Sequence, residues 1–187
     1  MPRRPRKVTA VSLENAALHY LERFASSAAN LRRILMRRVR RAAAEHGSDP
    51  AEGAALVEAL IERLRRSGVL DDRRYAEAKA ASLHRRGTSR RALAGRLAGQ
   101  GIDGTLIAEA LSGIEEQTGD AELAAACALA RRRRLGPYRV GPAREDTARK
   151  ELGTFARAGF SRDIASRVLA CADAAAVEAM LREFEPN

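Results

Sequence analysis

The chain has 187 residues, and its 34 Lys and Arg exceed its 24 Asp and Glu, so the formal net charge is +10. No apolar run approaches the ~20 residues of a membrane-spanning helix. The basic N-terminus also lacks the apolar stretch of a secretion signal, so we expect a soluble, cytoplasmic protein that does not bind membranes. Ala, Leu, Arg and Glu dominate and Trp is absent, which is typical of an all-α protein.

A flexible basic tail is predicted over residues 1–11, where prolines and basic residues occur without apolar periodicity. Helical periodicity then predicts a first three-helix unit over residues 12–67. Ser12 and Ser27 are the expected N-caps of its first two helices, since a serine hydroxyl can accept a hydrogen bond from a free N–H of the first turn. Gly47 is expected to end the second helix.

The third helix of this unit has clear signals at both ends. Asp49 precedes Pro50, which places an acidic cap before the proline that suits a first helical position. Gly68 is expected to end the helix, with Val69 folding back onto it as in a Schellman motif. The predicted apolar stripe consists of Val57, Leu60, Ile61 and Leu64.

Two adjacent aspartates open the predicted second unit, over residues 71–114. Asp71 stands where an N-cap belongs, and Asp72 lies in the first turn, where negative charge favours the helix dipole. Leu70 and Tyr75 have the spacing of a hydrophobic staple. No base or nucleophile stands nearby, so capping is favoured over catalysis. The predicted buried face consists of Tyr75, Ala76, the stem of Lys79 and Leu83.

The same glycine–apolar–cap pattern returns twice, about sixty residues apart, which suits three short helices per unit. The two copies are Gly101, Ile102 and Asp103, and Gly159, Phe160 and Ser161. A third unit is predicted over residues 118–171, and a C-terminal segment over 172–187. The expected fold is an all-α, elongated array of three tandem three-helix units resembling helix-turn-helix repeats. A short capping helix is predicted on Val177, Met180, Leu181 and Phe184.

No enzyme signature is visible. The chain has no Gly-rich phosphate loop ending in Lys-Ser or Lys-Thr, no GxGxxG and no HExxH. His19, His46 and His84 are scattered and are expected to be surface or partly packed residues. Cys127 and Cys171 are far apart in sequence and suggest neither a disulfide framework nor a zinc site. We therefore expect no catalytic site, no metal and no cofactor.

The basic side chains predict a polyanionic partner, either nucleic acid or a nucleoprotein. Arginine enrichment from a GC-rich genome is the alternative. The expected contact residues on the second helix, where most arginines lie off the apolar stripe, are Arg32, Arg33, Arg37 and Arg38, followed by Arg40 and Arg41. Those flanking the Gly87 turn are Arg85, Arg86, Arg90 and Arg91. Arg131–Arg134 end a further helix, where they either contact phosphates or complement the helix dipole.

Several segments in order resemble the RecX family of recombinase regulators. "GVLDDRRYA" is similar to the family's signature at the start of its second unit. "ALHYLERFASSAANLRRIL", "HRRGTSRRAL", "GQGID" and "AGFSRDIASRVL" resemble its other landmarks. Gln100 and Ala158 depart from the residues that the family often has before its glycines. The signature positions are Leu70, Asp71, Asp72, Tyr75, Gly101, Gly159 and Phe160.

This resemblance implies a modular helical protein that is not an enzyme. It would bind the RecA recombinase filament and non-sequence-specific DNA, and would lower the ATPase, strand-exchange and coprotease activities of RecA. A monomer is expected.

A helix-turn-helix transcriptional regulator is the main alternative, since helix, glycine turn and helix follow one another around Gly101. A recognition helix needs Arg, Lys, Asn or Gln aimed at base edges. The helix predicted over residues 104–113 instead offers Thr105, Glu109 and Ser112. Arg162 and Arg167, on the corresponding helix of the third unit, make that helix a better candidate, although still a poor one.

Overall fold

A computed structural model describes residues 7–142 and 146–183. Within these ranges the chain is helical and contains no strand, which confirms the all-α prediction. The helices are α1 (Ala10–Leu21), α2 (Ala28–His46), α3 (Pro50–Arg66), α4 (Asp72–Arg85), α5 (Arg90–Gly99), α6 (Gly104–Thr118), α7 (Ala121–Arg133), α8 (Thr147–Arg157), α9 (Arg162–Leu169) and α10 (Ala174–Arg182). A 3-10 turn, Gly136–Tyr138, follows α7. Most of the predicted basic tail and Phe184 lie outside the described residues.

The described residues group into two compact units. Residues 7–75 and 100–102 form the first, and residues 76–99, 103–142 and 146–183 form the second. The prediction divides the chain into three consecutive units of three helices each, whereas the structure groups the residues into two compact units. Three tandem units therefore stay a prediction.

The first compact unit is built around α1, α2 and α3. Leu13 of α1, Leu31 and Leu35 of α2, and Val57 and Ile61 of α3 are each at most 1% exposed and belong to one apolar cluster. Their spacing of three and four residues places each set on one helix face, so the three faces can bury one another. At about 25 cal/mol per Å² of apolar surface, this burial is the main stabilising term of the unit.

Side-chain caps and glycine set the ends of α2 and α3. The Ser27 hydroxyl accepts from the Asn30 N–H, and Gly47 ends α2 with a φ of 66°. The Asp49 carboxylate accepts from the Ala51 N–H, as predicted for the start of α3. All three predicted ends are confirmed.

Gly68 follows the end of α3 with a φ of 74°, as predicted, but the predicted N-cap of α1 and the predicted fold-back of Val69 are wrong. Thr9, not Ser12, is the N-cap of α1, and Ser12 returns a hydrogen bond to it from the third helical position. Each hydroxyl accepts the backbone N–H of the other residue, which is possible because the two residues are three apart, as in a capping box. Val69 is 51% exposed, and Leu70 instead joins the core and donates its N–H to the Leu64 carbonyl.

The buried face of α4 also differs from the prediction. Ala76, Ala80 and His84 are buried, whereas Lys79 is exposed and Tyr75 is half-buried. These three buried positions are four residues apart, and two alanines allow close packing without burial of the Lys79 stem. His84 is not a surface residue: its Nε2 lies 2.7 Å from the Ala121 carbonyl oxygen.

Helix α7 contributes much of the apolar cluster of the second unit. Its buried residues are Ala121, Leu123, Ala125, Ala126, Cys127, Leu129 and Ala130. All of these except Ala121 share this cluster with Phe155 of α8, Phe160, Val168 of α9 and Val177 of α10. The small alanines let neighbouring backbones approach, while Phe155 and Phe160 fill the volume in an edge-on pair with ring centroids 5.9 Å apart.

Candidate nucleic-acid interface

Four exposed arginines follow the solvent face of α2. Arg33, Arg37, Arg40 and Arg41, here named the α2 stripe, are separated by four, three and one residues. Because an α-helix turns once every 3.6 residues, these positions lie together, opposite the buried face of the helix. The helical repeat that places the apolar residues of α2 on its buried face therefore also places these arginines together on the opposite face.

The α2 stripe concentrates positive charge. The described part of the chain provides no acidic partner for Arg37, Arg40 or Arg41. Like charges at helical spacing repel and destabilise a helix slightly. An external polyanion would convert this repulsion into attraction, and planar guanidinium groups match phosphate oxygens in a two-pronged geometry.

Two other arginines predicted as contacts are placed differently. Arg32 forms a two-pronged ion pair with Glu58 of α3, with both N–O distances at 2.6 Å. Arg38 lines a groove of about 300 Å³ between α1 and α2, together with Tyr20 and Phe24. Arg32 therefore links two helices, whereas Arg38 stands beside an aromatic surface.

A second basic surface, here named the Gly87 corner, comprises Arg85, Arg86, Arg90 and Arg91. All four are exposed on either side of the turn between α4 and α5. A Schellman motif forms this turn: Gly87 and Thr88 donate to the His84 and Leu83 carbonyls at 2.7 and 3.2 Å. Four residues separate the two helices, so the end of α4 and the start of α5 lie close together.

Acidic groups anchor part of the Gly87 corner. The Glu122 carboxylate accepts the Arg90 N–H at 2.8 Å, and the Glu115 carboxylate lies 3.8 Å from the Arg90 guanidinium. Burial raises the pKa of Glu122, while the Arg90 N–H opposes that shift. Arg90 is therefore held by the protein, and Arg85, Arg86 and Arg91 are the more available cations.

The adjacent aspartates cap two different helices. The Asp71 carboxylate accepts the Arg74 N–H at 3.0 Å at the start of α4. The Asp72 carboxylate accepts the Ala28 N–H at 2.8 Å at the start of α2. Leu70 is buried beside them, and burial raises the pKa of the half-buried Tyr75. This arrangement is structural, and it joins two helix starts that are 44 residues apart in sequence.

A buried serine at one helix start meets a carbonyl at another helix end, and this contact occurs twice. Within the first unit, the Ser27 hydroxyl donates to the Gln100 carbonyl at 2.6 Å. Within the second, the Ser89 hydroxyl donates to the Ala158 carbonyl at 2.7 Å. Each accepting residue directly precedes a left-handed glycine, Gly101 with φ 75° or Gly159 with φ 90°.

The positive φ and the lack of a side chain both matter at these two glycines. A Cβ on Gly101 would lie 2.3 Å from the Ala29 Cβ, and one on Gly159 would lie 2.6 Å from the Ser89 Oγ. Phe160 then folds back as the residue after the left-handed position, donating its N–H to the Phe155 carbonyl. The signature glycines are therefore packing positions.

Sequence reasoning missed a buried ion pair in the second unit. Glu151 of α8 is 6% exposed and accepts from the Arg139 Nε and Nη2 at 3.1 and 2.6 Å, and from the Gly136 N–H at 3.0 Å. The pair fixes the segment after α7 against α8. The glycines and prolines of this segment are typical of a loop and give no sign of the ion pair.

Chemical groups for metal or thiol chemistry are sparse. Among the described residues, no three His, Cys, Asp or Glu side chains could hold a metal ion together. Burial raises the pKa of the Cys127 thiol to about 12, which disfavours the reactive thiolate. None of the described helices is long and apolar enough to span a bilayer.

These observations define a helical protein whose arginines cluster outside its apolar cores, and other proteins are similar to it in sequence. Residues 71–111 match the second three-helix domain of RecX. Regulatory protein RecX of Myxococcus xanthus (strain DK1622) is 43% identical over 169 residues, covering 90% of this chain and 89% of that protein. Regulatory protein RecX of Agrobacterium fabrum (strain C58) is 34% identical over 156 residues, covering 83% and 80%. The chain belongs to the RecX family.

Proposed function

We propose that this protein binds the RecA filament on single-stranded DNA and inhibits its ATPase, strand-exchange and coprotease activities. The observation that carries the proposal is the 43% identity over 90% of the chain to a protein named Regulatory protein RecX. RecA is the partner that the family resemblance implies. The protein acts by binding as a cytoplasmic monomer and performs no chemistry on the filament.

The exposed arginines supply a physical route to a nucleoprotein. The α2 stripe and the Gly87 corner both present guanidinium groups to solvent. A net charge of +10 attracts a polyanion over roughly a Debye length, about 8 Å at physiological ionic strength. This attraction brings the protein to the filament independently of DNA sequence, because phosphates are the same at every position.

The test removes the α2 stripe charges while keeping the helix. Replacement of Arg37, Arg40 and Arg41 together by Gln retains helix propensity and removes three positive charges. We expect a several-fold higher concentration for half-maximal inhibition of RecA ATP hydrolysis, and unchanged far-ultraviolet circular dichroism. The matched control replaces Arg23, Arg65 and Arg66 by Gln, which removes the same charge from exposed sites of the first unit.

The control separates a local contact from net charge. Equal weakening of inhibition by both triple variants would show that total charge alone matters and would contradict the role of the α2 stripe. Undiminished inhibition by the stripe variant would contradict it as well. Absence of inhibition by the folded wild-type protein would overturn the proposed function itself.

The helix-turn-helix regulator remains the second candidate from sequence. Helix α6 begins at Gly104, and its N-cap Asp103 accepts the Thr105 N–H at 2.8 Å. Hydrogen bonding by that N–H lowers the pKa of Asp103, so a negative charge stands at the helix start that would enter a groove. Negative charge there repels phosphates, which favours the recombinase regulator.

A further inference from the structure

Helix α7 ends in four consecutive arginines that the proposed site does not use. Arg131, Arg132, Arg133 and Arg134 are all exposed. In the described ranges of the chain, none of them has an acidic partner. Successive residues of a helix point about 100° apart, so the four side chains spread around the helix end. We name this group the α7 arginine end.

The backbone at the α7 arginine end adopts a conformation that favours glycine. The Leu135 N–H donates to the Ala130 carbonyl at 2.9 Å, and the Arg134 N–H donates to the Arg131 carbonyl at 3.3 Å. These two bonds make a Schellman motif, with Arg134 at its left-handed position and φ at 55°. Among the described residues, Arg134 is the one non-glycine residue with positive φ.

Other helices of this protein end in the same motif but have glycine at the left-handed position where α7 has Arg134. The corresponding left-handed position is glycine in the Schellman motifs after α4 and α8, at Gly87 and Gly159. A side chain at positive φ costs free energy that glycine avoids. The Arg134 side chain is exposed, so packing against the protein does not offset that cost. Glycine would give a more stable fold at this position, so we attribute the arginine to a ligand that its side chain binds.

The helix dipole does not require four arginines. The C-terminus of a helix carries about half a negative charge, and the effect falls off within one turn. Four guanidinium groups exceed that charge several-fold. The remaining positive charge repels itself unless an external anion neutralises it.

We propose that the α7 arginine end is a further phosphate-binding site, separate from the α2 stripe and the Gly87 corner, which contacts the sugar-phosphate backbone of nucleic acid. Arginine rather than lysine fits this ligand, since its planar fork can hold two phosphate oxygens at once. Backbone contacts are favoured over base contacts, because Tyr138, whose pKa is raised by burial and lowered by the nearby Arg131, is half-buried and therefore poorly placed for base stacking. The site lies within the second unit, and it decides between the two roles that the sequence left open for these arginines, phosphate contact and compensation of the helix dipole.

The buried ion pair between Arg139 and Glu151 fixes the backbone next to the α7 arginine end. Arg139 and Glu151 hold the segment that follows Arg134 against α8, and the Gly136 N–H is fixed by the same carboxylate. The backbone that carries Arg134 is therefore anchored on both sides of the left-handed position. A rigid mount lowers the entropy lost when the side chains bind.

The proposal rests on the proposed function in one respect, the choice of nucleic acid as the polyanion that binds. The test is carried out without RecA. Binding of a fluorescent single-stranded oligonucleotide to the full-length protein is measured by anisotropy over a range of salt concentrations. For Arg134→Gly we expect weaker binding and a log–log salt slope shallower by about 0.7, the value for one lost single-strand phosphate contact. The same variant should melt about 2–4 °C higher, because the backbone is relieved.

Weaker oligonucleotide binding together with a higher melting temperature in Arg134→Gly would distinguish a binding role of Arg134 from a structural one. Arg134→Lys keeps the charge and the backbone cost, so its salt slope should match the wild type and its melting temperature should not rise. A quadruple variant with Arg131, Arg132 and Arg133 changed to Gln and Arg134 to Gly should lose about tenfold or more in affinity. Arg182→Gln, at the exposed end of α10, is the control for loss of one charge.

Three outcomes would overturn the proposal. The first is unchanged oligonucleotide affinity of the folded quadruple variant. The second is an equal loss for Arg182→Gln and Arg134→Gly. The third is a quadruple variant that no longer binds phosphatidylserine vesicles or polyglutamate but still binds the oligonucleotide with unchanged affinity. The ligand of the α7 arginine end would then be a lipid surface or an acidic protein. Failure of RecA inhibition alone would leave these oligonucleotide results unaffected, so the two proposals fail separately.

Discussion

At the scale of single residues, the paired aspartates are the clearest case of charge used for folding. Asp71 and Asp72 are adjacent, yet each accepts a backbone N–H at the start of a different helix. The sequence alone predicted the first cap, because spacing along one helix determines it. It could not predict the contact of Asp72 with Ala28, because the two residues are 44 positions apart in sequence and only the fold brings them together.

Loss of the α4 cap should lower stability without removing function. Asp71→Ala leaves the Arg74 N–H without its acceptor and should cost about 1 kcal/mol in the free energy of unfolding. Urea unfolding measures this cost, and RecA ATPase inhibition by the folded variant should be retained. A stable but inactive Asp71→Ala protein would contradict the structural role.

Gly87 is the glycine whose replacement should be most damaging. Its φ is 76°, and a Cβ would lie 2.4 Å from the Leu129 nitrogen of α7. Gly87→Ala therefore combines backbone strain with a clash against backbone atoms, and should cost about 3 kcal/mol. Gly47→Ala is the matched control, because Gly47 has φ 66° and open space around it, so only the backbone cost of about 1 kcal/mol applies. Equal urea midpoints for the two variants would refute the clash.

The two cysteines should differ in reactivity. Cys127 is 3% exposed and has a pKa raised to about 12, whereas Cys171 is half-buried. A raised pKa favours the neutral thiol, so little Cys127 thiolate exists at pH 8. Alkylation at pH 8 followed by peptide mass spectrometry should find Cys171 modified first and Cys127 modified only after unfolding. Simultaneous modification in the folded protein would show that α7 opens readily.

At the scale of helices, local signals were read correctly more often than distant contacts. Ser27 and Asp49 were predicted as caps, since the capping residue and its N–H donor lie within three positions. Ser12 was misassigned because Thr9 offers an equivalent hydroxyl one turn earlier. The burial of His84 and Glu151 could not be read from the sequence, because the partner of His84 lies 37 residues away at the start of α7 and the partners of Glu151 lie in the segment after α7.

The serine at the start of α2 should be worth more than an ordinary cap. Ser27→Ala removes both the acceptor for Asn30 and the donor to the Gln100 carbonyl, and should cost about 2–3 kcal/mol. Ser161→Ala is the control, since the exposed Ser161 caps α9 through the Ile164 N–H and should cost about 1 kcal/mol. If urea unfolding gave equal losses, the contact with Gln100 would contribute nothing.

At the scale of the whole molecule, helical periodicity places charge and core on opposite sides of the same helices. The all-α class followed from composition and from the spacing of apolar residues, and the structure confirms it. The candidate binding surface was only partly predictable. Sequence spacing identified the exposed Arg37, but it could not show that Arg32 is engaged by Glu58 or that Arg134 takes a left-handed conformation.

The central claim is that this RecX-family protein inhibits RecA on single-stranded DNA. The most direct test is ATP hydrolysis by the cognate RecA on single-stranded DNA, titrated with this protein at moderate and high salt. We predict inhibition well below one molecule per RecA subunit, weakened at high salt because arginine–phosphate contacts release counterions. Unchanged hydrolysis at moderate salt, with the protein shown to be folded by circular dichroism, would contradict the claim.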